Sequence, residues 1–358
     1  MKELVYITKT NVAMSGAQAI QIRAMASVFS DILGSSFQLR AVSNEKKLNL
    51  KNFKPFIFKN RILFWLEFIF TVLTVRSKTK VFTRDIGVAF LAGIMGRQVV
   101  LEIHKPNTKL FPSILMLLTI RFRNVKYLTI SKELERYIRR AYGLNLNRVN
   151  TEHSGAFPEK FISPSEEFLK DLYRKIGNQE NMKLVVHTGS LYKGGAKLFG
   201  EIANNPELLI LHVGGTQLEI DYWTNHYKEM RNIVLLPHQD ESFVRDLQMT
   251  ADLLLYLNVK SSPIYWCTSP LKMFEYMSTG KPIIATGTGS ITEILSERNA
   301  FIFDPEIPGD FKKNLELAIQ NKKEASKRSL AALEDVKKNH NWRLRAKRII
   351  KYFNDNAS

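Results

Sequence analysis

Two short stretches of this sequence put small and charged residues where they could hold a diphosphate. Residues 269–282 read SPLKMFEYMSTGKP: a short helix that starts just after Pro270, carries one carboxylate, Glu275, and stops at Gly280 before an apolar strand. A helix N-terminus presents outward-pointing backbone N–H groups and the positive end of the helix dipole, which suits a phosphate. Ser269, Leu271 and Lys272 stand at the head of that helix. Glu275 follows about a turn along, where a carboxylate can accept hydrogen bonds from sugar hydroxyls. Residues 187–195 read HTGSLYKGG. There a strand ends on a glycine turn, Gly189 and Ser190 allow a close backbone approach, and Lys193 brings positive charge to the strand's carboxyl edge. Either stretch alone fits an ordinary connection in an α/β domain equally well.

The first half of the chain offers three weaker candidates. Gly16, in MSGAQ at 14–18, follows the first apolar strand and precedes a long helix, and a glycine there can take positive φ. His104, in LEIHKP at 101–106, and Arg84, in TRD at 83–85, each fall at the end of an apolar run that reads as a strand. A histidine at such a position can bind a ligand or simply satisfy the fold.

The elements that must position these residues alternate. Runs 4–7, 38–42, 81–83, 99–103 and 127–130 read as buried strands, with helical stretches 17–32, 62–75, 87–95, 113–121 and 132–142 between them. The pattern restarts with strands 184–187, 208–213, 233–236, 253–256, 282–285 and 301–303. Strands alternating with helices imply parallel sheets covered on both faces, and two such units would take ligands at the carboxyl ends of their strands. At 358 residues the chain suits two domains of roughly 150 residues each. The polar segment 158–182 reads as the link between them.

These motifs together resemble the donor-binding signature of retaining glycosyltransferases of family four, and the likeness runs along nearly the whole chain. It implies an α/β protein of GT-B fold, two Rossmann-like doubly wound domains facing a central cleft. Residues 1–160 would form the acceptor side, with a C-terminal helix at 341–358 packing back onto it, and residues 161–340 the donor domain. The implied reaction moves a sugar from a nucleoside-diphosphate sugar (UDP- or GDP-linked) to a lipid-linked or glycan acceptor, with retention and with no cofactor or metal. The absence of a D-x-D sequence agrees with the last point. The resemblance assigns His104, Lys193 and Glu275 to the reacting centre. It assigns Gly16, Arg84, Gly189, Ser190, Lys193, Ser269, Leu271, Lys272 and Glu275 to the donor. Front-face displacement, in which a donor phosphate oxygen takes the acceptor proton, is the implied mechanism. A bacterial surface-polysaccharide pathway, lipopolysaccharide or capsule, is the implied setting.

The chain departs from the family pattern twice. Ser190 stands where an arginine is common, so charge compensation falls to Lys193 and Lys272. Cys267 stands where the first of two glutamates, eight positions apart, is usual, and a thiol cannot replace that carboxylate. These departures keep open a non-catalytic protein that binds nucleotide sugar or glycan. A nucleotide-sugar epimerase would need a dedicated acid–base pair, and none stands out.

The formal net charge is +18 and lies mostly in one half: residues 1–165 hold 26 Lys and Arg against 10 Asp and Glu, the remainder 26 against 24. Such asymmetry predicts an anionic partner. The apolar run 62–75 (ILFWLEFIFTVLTV) is bracketed by Lys59, Arg61, Arg76, Lys78 and Lys80. It is shorter than the about 20 residues that span a bilayer, so it reads as a core helix or an interfacial one. Residues 111–120 form a second such run. Lys46, Lys47, Lys51 and Lys54 alternate with Phe53, Phe56 and Phe58, a pattern suited to lipid headgroups. The expected partner is an anionic membrane surface, contacted peripherally from the cytoplasmic side. Nucleic acid is not expected, since no recognition motif for it appears. The lone cysteine, Cys267, leaves no internal disulfide and no cysteine-based zinc cluster. It reads as packing rather than a nucleophile. Met1-Lys2-Glu3 leads straight into the first strand with no signal-like stretch, and the expected compartment is the cytoplasm.

Overall fold

A computed structural model describes residues 3–44, 50–56, 61–177, 181–191, 195–258, 260 and 263–355. The chain divides into two compact units, Met1–Ser154 with Trp342–Ser358, and Gly155–Asn341.

The first unit is built on a seven-stranded parallel sheet: β1 (Leu4–Asn11), β2 (Phe37–Val42), β3 (Phe53–Phe56), β4 (Lys80–Thr83), β5 (Val99–Ile103), β6 (Val125–Thr129) and β7 (Val149–Thr151). Their spatial order is β3-β2-β1-β4-β5-β6-β7, so strand order reverses between β1 and β4. The connecting helices are α1 (Ala17–Leu33), α2 (Arg61–Leu73), α3 (Ile86–Ile94), α4 (Leu110–Thr119) and α5 (Lys132–Tyr142). Right-handed crossovers put α1 on one face and α2 to α5 on the other, and α3 indeed touches both α2 and α4. Buried aromatics fill the α1 face: Tyr6 meets Phe82 edge-on at 4.8 Å, and Phe29 packs on Phe37 and Phe82.

The second unit has a six-stranded parallel sheet: β8 (Lys183–Thr188), β9 (Leu208–Val213), β10 (Ile233–Leu236), β11 (Leu253–Tyr256), β12 (Ile283–Thr286) and β13 (Phe301–Phe303). Its order, β10-β9-β8-β11-β12-β13, reverses between β8 and β11. Around it lie α6 (Glu166–Lys175), α7 (Phe199–Ile202), α8 (Gln217–His226), α9 (Glu241–Thr250), α10 (Leu271–Thr279), α11 (Asp310–Gln320) and α12 (Lys322–Asn339). β9 is buried along its whole length, as a central parallel strand covered on both faces must be. The last helix, α13 (Trp342–Asn354), belongs to the first unit, where it packs on α1.

Three expectations are corrected. The chain divides at 154/155 and 341/342 rather than at 160/161 and 340/341. The Ala156 N–H donates to His340 O at 3.1 Å and Ala156 bridges to Asn341, tying residues 155–160 to the second unit. Residues 158–182 are not a bare link: Ser165 caps α6, which buries Leu172, and Ile176 follows it into the second core. Within the segment around Lys54, Lys51 and Lys54 are exposed, but Phe56 is not part of that surface. The segment contains β3, and Phe56 is a core residue 1% exposed, packed on Phe64 and Phe68 beneath the Arg40 guanidinium. Lys46, Lys47 and Phe58 lie outside the described residues. With these boundaries the first unit holds 30 Lys and Arg against 10 Asp and Glu, and the second 22 against 24.

Candidate active site

In the second unit strand order reverses between β8 and β11, and it is at the carboxyl ends of the strands beside such a reversal that ligands of these sheets bind. β8 ends at Thr188, whose N–H donates to the Tyr276 hydroxyl at 2.9 Å, so α10 is pinned to the strand end by its own tyrosine. α10 starts after Pro270, which has no side-chain acceptor to cap the first turn. Its first-turn amides therefore point out of the helix toward any anion placed there. Lys272 Nζ donates to Thr188 O at 2.8 Å and stands 3.2 Å from His187 Nε2, which holds the ammonium against the glycine turn. That turn needs its glycine. Gly189 has φ +114, and a Cβ there would meet Lys272 Nζ at 3.3 Å.

Glu275 is half-buried on the same helix, and the Gln248 amide donates to its Oε2 at 3.4 Å. Burial pushes its carboxyl above the ordinary value, with Glu241 adding to the rise and Gln248 and Lys272 opposing it. Ser269, Leu271 and Lys272, at the head of α10, thus stand with Glu275 at the β8 end beside Gly189, and Ser190 follows Gly189, half-buried. Lys193 lies outside the described residues.

Cys267 is fully buried in the loop before α10, with its Sγ 3.7 Å from Ile264 O. Burial pushes its thiol up to about 12, so it is neutral and unreactive there. The loop itself is shaped by residues the sequence reading passed over. Asn258 Nδ2 donates to Tyr265 O, the Ser290 hydroxyl donates to Thr268 O, and a Cβ on Gly289 would lie 2.4 Å from Tyr265 O. The G-T-G-S run at 287–290, directly after β12, was a visible signal for such a close approach.

In the first unit Arg84 and His104 converge on one buried carboxylate. Glu102, 2% exposed, accepts from His104 Nε2 at 2.7 Å, lies 3.6 Å from Arg84 Nε, and pairs with Arg345 of α13. Burial alone would raise the Glu102 carboxyl, but Arg345, His104 and Arg84 together hold it well below the usual range. His104 is pushed down to about 4, by burial first and then by Arg84. It is therefore neutral near pH 7. Since a carboxylate only accepts, the His104 proton is on Nε2, and Nδ1 is the acceptor. Gly16 does not take positive φ: at φ −72 and ψ 153 it is the N-cap of α1, and its carbonyl starts the helix. Arg84 reaches that helix, donating to Gln18 O at 3.4 Å. Ser131, another strand-end residue, is spent on capping α5 through the Leu134 N–H.

The first unit also carries an apolar surface. α2 buries Phe64, Phe68 and Val72 but exposes Leu63, Leu66, Phe70 and Leu73. α4 exposes Leu110, Phe111, Ile114, Leu117 and Leu118, and Ile94 at the end of α3 is exposed between them in sequence. Arg76, Lys78, Lys105, Lys109, Arg121 and Arg123, all exposed, flank these helices. Among the described residues no helix is long and apolar enough to cross a membrane.

Comparison with known proteins agrees with this geometry. Residues 196–351 match the family model described as glycosyl transferase-like. No curated protein matches the sequence. Solved structures match along the whole chain. Anabaena Alr3699/HepE in complex with UDP and glucose superposes with a TM-score of 0.77 at 14% identity, covering 99% of this chain and 100% of that one. A glycosyltransferase from Rickettsia africae gives a TM-score of 0.75 at 15% identity, covering 98% and 97%. Sucrose-phosphate synthase from Thermosynechococcus elongatus gives 0.74 at 13% identity, covering 99% and 98%. At such identities the likeness establishes architecture: the chain has the GT-B fold, an α/β protein of two Rossmann-like sheets.

Proposed function

We propose that this protein is a retaining, metal-independent glycosyltransferase that moves a hexose from a UDP- or GDP-sugar to a lipid-linked or glycan acceptor. The observation that carries the proposal is the head of α10. A helix N-terminus, the Lys272 ammonium and the Glu275 carboxylate stand in that order beside the strand-order reversal of the second sheet. A diphosphate on the amides and Lys272 leaves the attached ribose within reach of Glu275. Positive charge fixed in place before reaction stabilises the departing nucleotide diphosphate without solvent reorganisation. The match of residues 196–351 to a glycosyl transferase-like family, and the UDP held by the Anabaena structure, support the same donor chemistry.

In this reading the acceptor oxygen attacks the anomeric carbon on the face from which the diphosphate leaves, and a donor phosphate oxygen takes the acceptor proton. His104 accepts a hydroxyl hydrogen bond at Nδ1; as a neutral imidazole with its proton committed to Glu102 it does not donate to phosphate. Gly16, Arg84, Ser190 and Lys193 keep their donor-side roles in the proposal, Arg84 by holding Glu102 and thereby His104. The exposed apolar faces of α2 and α4 and the basic residues beside them support peripheral contact with an anionic membrane at its cytoplasmic face. That placement suits an acceptor on a polyprenyl-type lipid and a role in bacterial surface polysaccharide, such as lipopolysaccharide or capsule.

A second reading rests on Cys267. A buried neutral thiol replaces a sugar-binding carboxylate, which favours a protein that holds nucleotide sugar without turning it over. Incubation with a panel of radiolabelled UDP- and GDP-sugars and membrane extract separates the two. Label extracted into organic solvent establishes transfer, binding without transfer establishes the second reading, and the absence of both overturns the donor site.

A further inference from the structure

Beneath the head of α10 lies a chain of hydrogen bonds whose directions are all determined. His212 is fully buried and His187 is 2% exposed. His212 Nε2 lies 2.9 Å from Gly214 O, the two Nδ1 atoms lie 2.8 Å apart, and His187 Nε2 lies 3.2 Å from Lys272 Nζ. A carbonyl oxygen only accepts, so His212 carries its proton on Nε2. Burial pushes His212 down to about 4, so the ring is neutral near pH 7 and its Nδ1 is bare. The His187 proton must then sit on Nδ1, which leaves His187 Nε2 to accept from the lysine. Any other arrangement sets donor against donor in a buried site, or two cations 3.2 Å apart.

We infer that His187 and His212 form a tautomer-locked relay that positions the Lys272 ammonium for a nucleoside diphosphate, with His212 acting wholly through His187. This deepens the donor-site reading and rests on it. Two protons of the ammonium are directed inward, to His187 Nε2 and Thr188 O, which fixes Nζ beside the Gly189 turn. The long lysine chain would otherwise sample many rotamers. Neither histidine touches the diphosphate in this arrangement. Their contribution is to keep one cation still and to present it a lone pair rather than a proton. The ring of Phe199 meets His187 edge-on at 5.7 Å and helps hold the pair.

The test uses the full chain and UDP, with GDP in parallel, followed by calorimetry. Lys272→Ala and His212→Phe should each weaken binding about tenfold, the scale of one charged contact. His212→Asn should recover most of the loss, because its amide oxygen can take the place of the Nδ1 acceptor. Thermal melts identify any variant that is not folded, and His187→Gln, whose amide oxygen can replace Nε2, then serves as a second carrier of the rescue. Independently, long-range ¹⁵N–¹H spectra of histidine-labelled wild type should show the Nδ1–H tautomer at His187 and Nε2–H at His212. Undiminished binding by folded His212→Phe alongside a weakened Lys272→Ala overturns the relay, as does an Nε2–H tautomer at His187. Wild type that binds neither nucleotide overturns the donor site instead, and the tautomer spectra still decide the hydrogen-bond chain.

Discussion

Glu275→Gln removes one charge while keeping the side chain's length and branching, and the proposed site predicts effects of opposite sign on binding and on stability. In the free protein the Glu275 carboxyl is raised by burial, and the opposing hydrogen bond from Gln248 is long at 3.4 Å. An acid whose folded value lies above its unfolded value costs stability at every pH where both states are ionised. The cost disappears as pH falls through the folded value toward the unfolded one. Glutamine never incurs it, so the variant should melt at a higher temperature than wild type at about pH 8, with the gain shrinking toward about pH 4.5. Binding responds the other way. A ribose hydroxyl donating to a carboxylate is worth about 1.5–3 kcal/mol against about 0.5–1.5 for a neutral acceptor, so replacing the carboxylate by an amide, which still accepts, should raise Kd about five- to tenfold. Wild-type affinity for UDP should also weaken as pH drops into the range where Glu275 takes up its proton. Isothermal calorimetry with UDP and thermal melts at the two pH values measure both effects. A variant that binds like wild type, or that melts lower at about pH 8, would show that Glu275 is a structural residue and refute the assignment.

Three further outcomes are expected. Arg345→Met leaves the 2%-exposed Glu102 without its principal partner and should cost about 3–5 kcal/mol in urea denaturation. Adding Glu102→Gln should return part of that loss, and additive losses would refute the pairing. Leu66→Glu with Phe70→Glu should cut co-sedimentation with anionic phospholipid vesicles by more than about tenfold, given the about 1.5–3 kcal/mol of a buried large apolar side chain. Undiminished sedimentation removes α2 from the membrane surface. Acid should destabilise the fold through two buried imidazoles: His104 and His212 are both held near 4 against 6.5 when unfolded. A depressed group contributes stability above its unfolded value and loses it as pH falls toward its folded one, here about 3 kcal/mol for each histidine between about pH 6.5 and 4. A melting temperature unchanged between about pH 7 and 4.5 would contradict that burial.

Much of the architecture was legible because parallel strands covered on both faces must be short, apolar and spaced by helices. Runs such as LLILHV at 208–213 can hardly be anything else in such an alternation. The elements that escaped were those whose residues obey a local rule and a distant one at once. FKPF at 53–56 carries a lysine and a proline and looks like surface, yet it pairs with β2 as an edge strand, where a proline and an outward lysine are tolerated. Residues 158–182 are polar enough to be a tether, but Leu172 and Ile176, four apart, are sufficient to dock one helix face. The run 62–75 was apolar nearly all round, which left core and interface indistinguishable by pattern. The structure shows both: Phe64, Phe68 and Val72 at spacing four face inward, and Leu63, Leu66, Phe70 and Leu73 face out.

The candidate site divides along a similar line. Residues proposed to present backbone or charge to a ligand, Gly189, Lys272 and Glu275, stand out by type and position. Residues that hold those groups still do not, because their partners lie far along the chain. His187 and His212 are 25 apart, Glu102 and Arg345 are 243 apart, and each histidine or carboxylate alone reads as a core residue. Burial is what couples them. In water a histidine tautomer or a lysine rotamer is decided by small differences; with water excluded, an unmatched donor costs more than the alternatives differ. A single carbonyl, Gly214 O, then determines proton positions three groups away, up to Lys272. The same logic explains why His104 can only accept. Glu102 is kept ionised by Arg345 and Arg84, so the imidazole proton is committed to it, and the edge that remains suits a hydroxyl and excludes a phosphate oxygen. In the proposed site, a preference for sugar over phosphate at His104 is then set from behind, by a cation on the last helix of the chain.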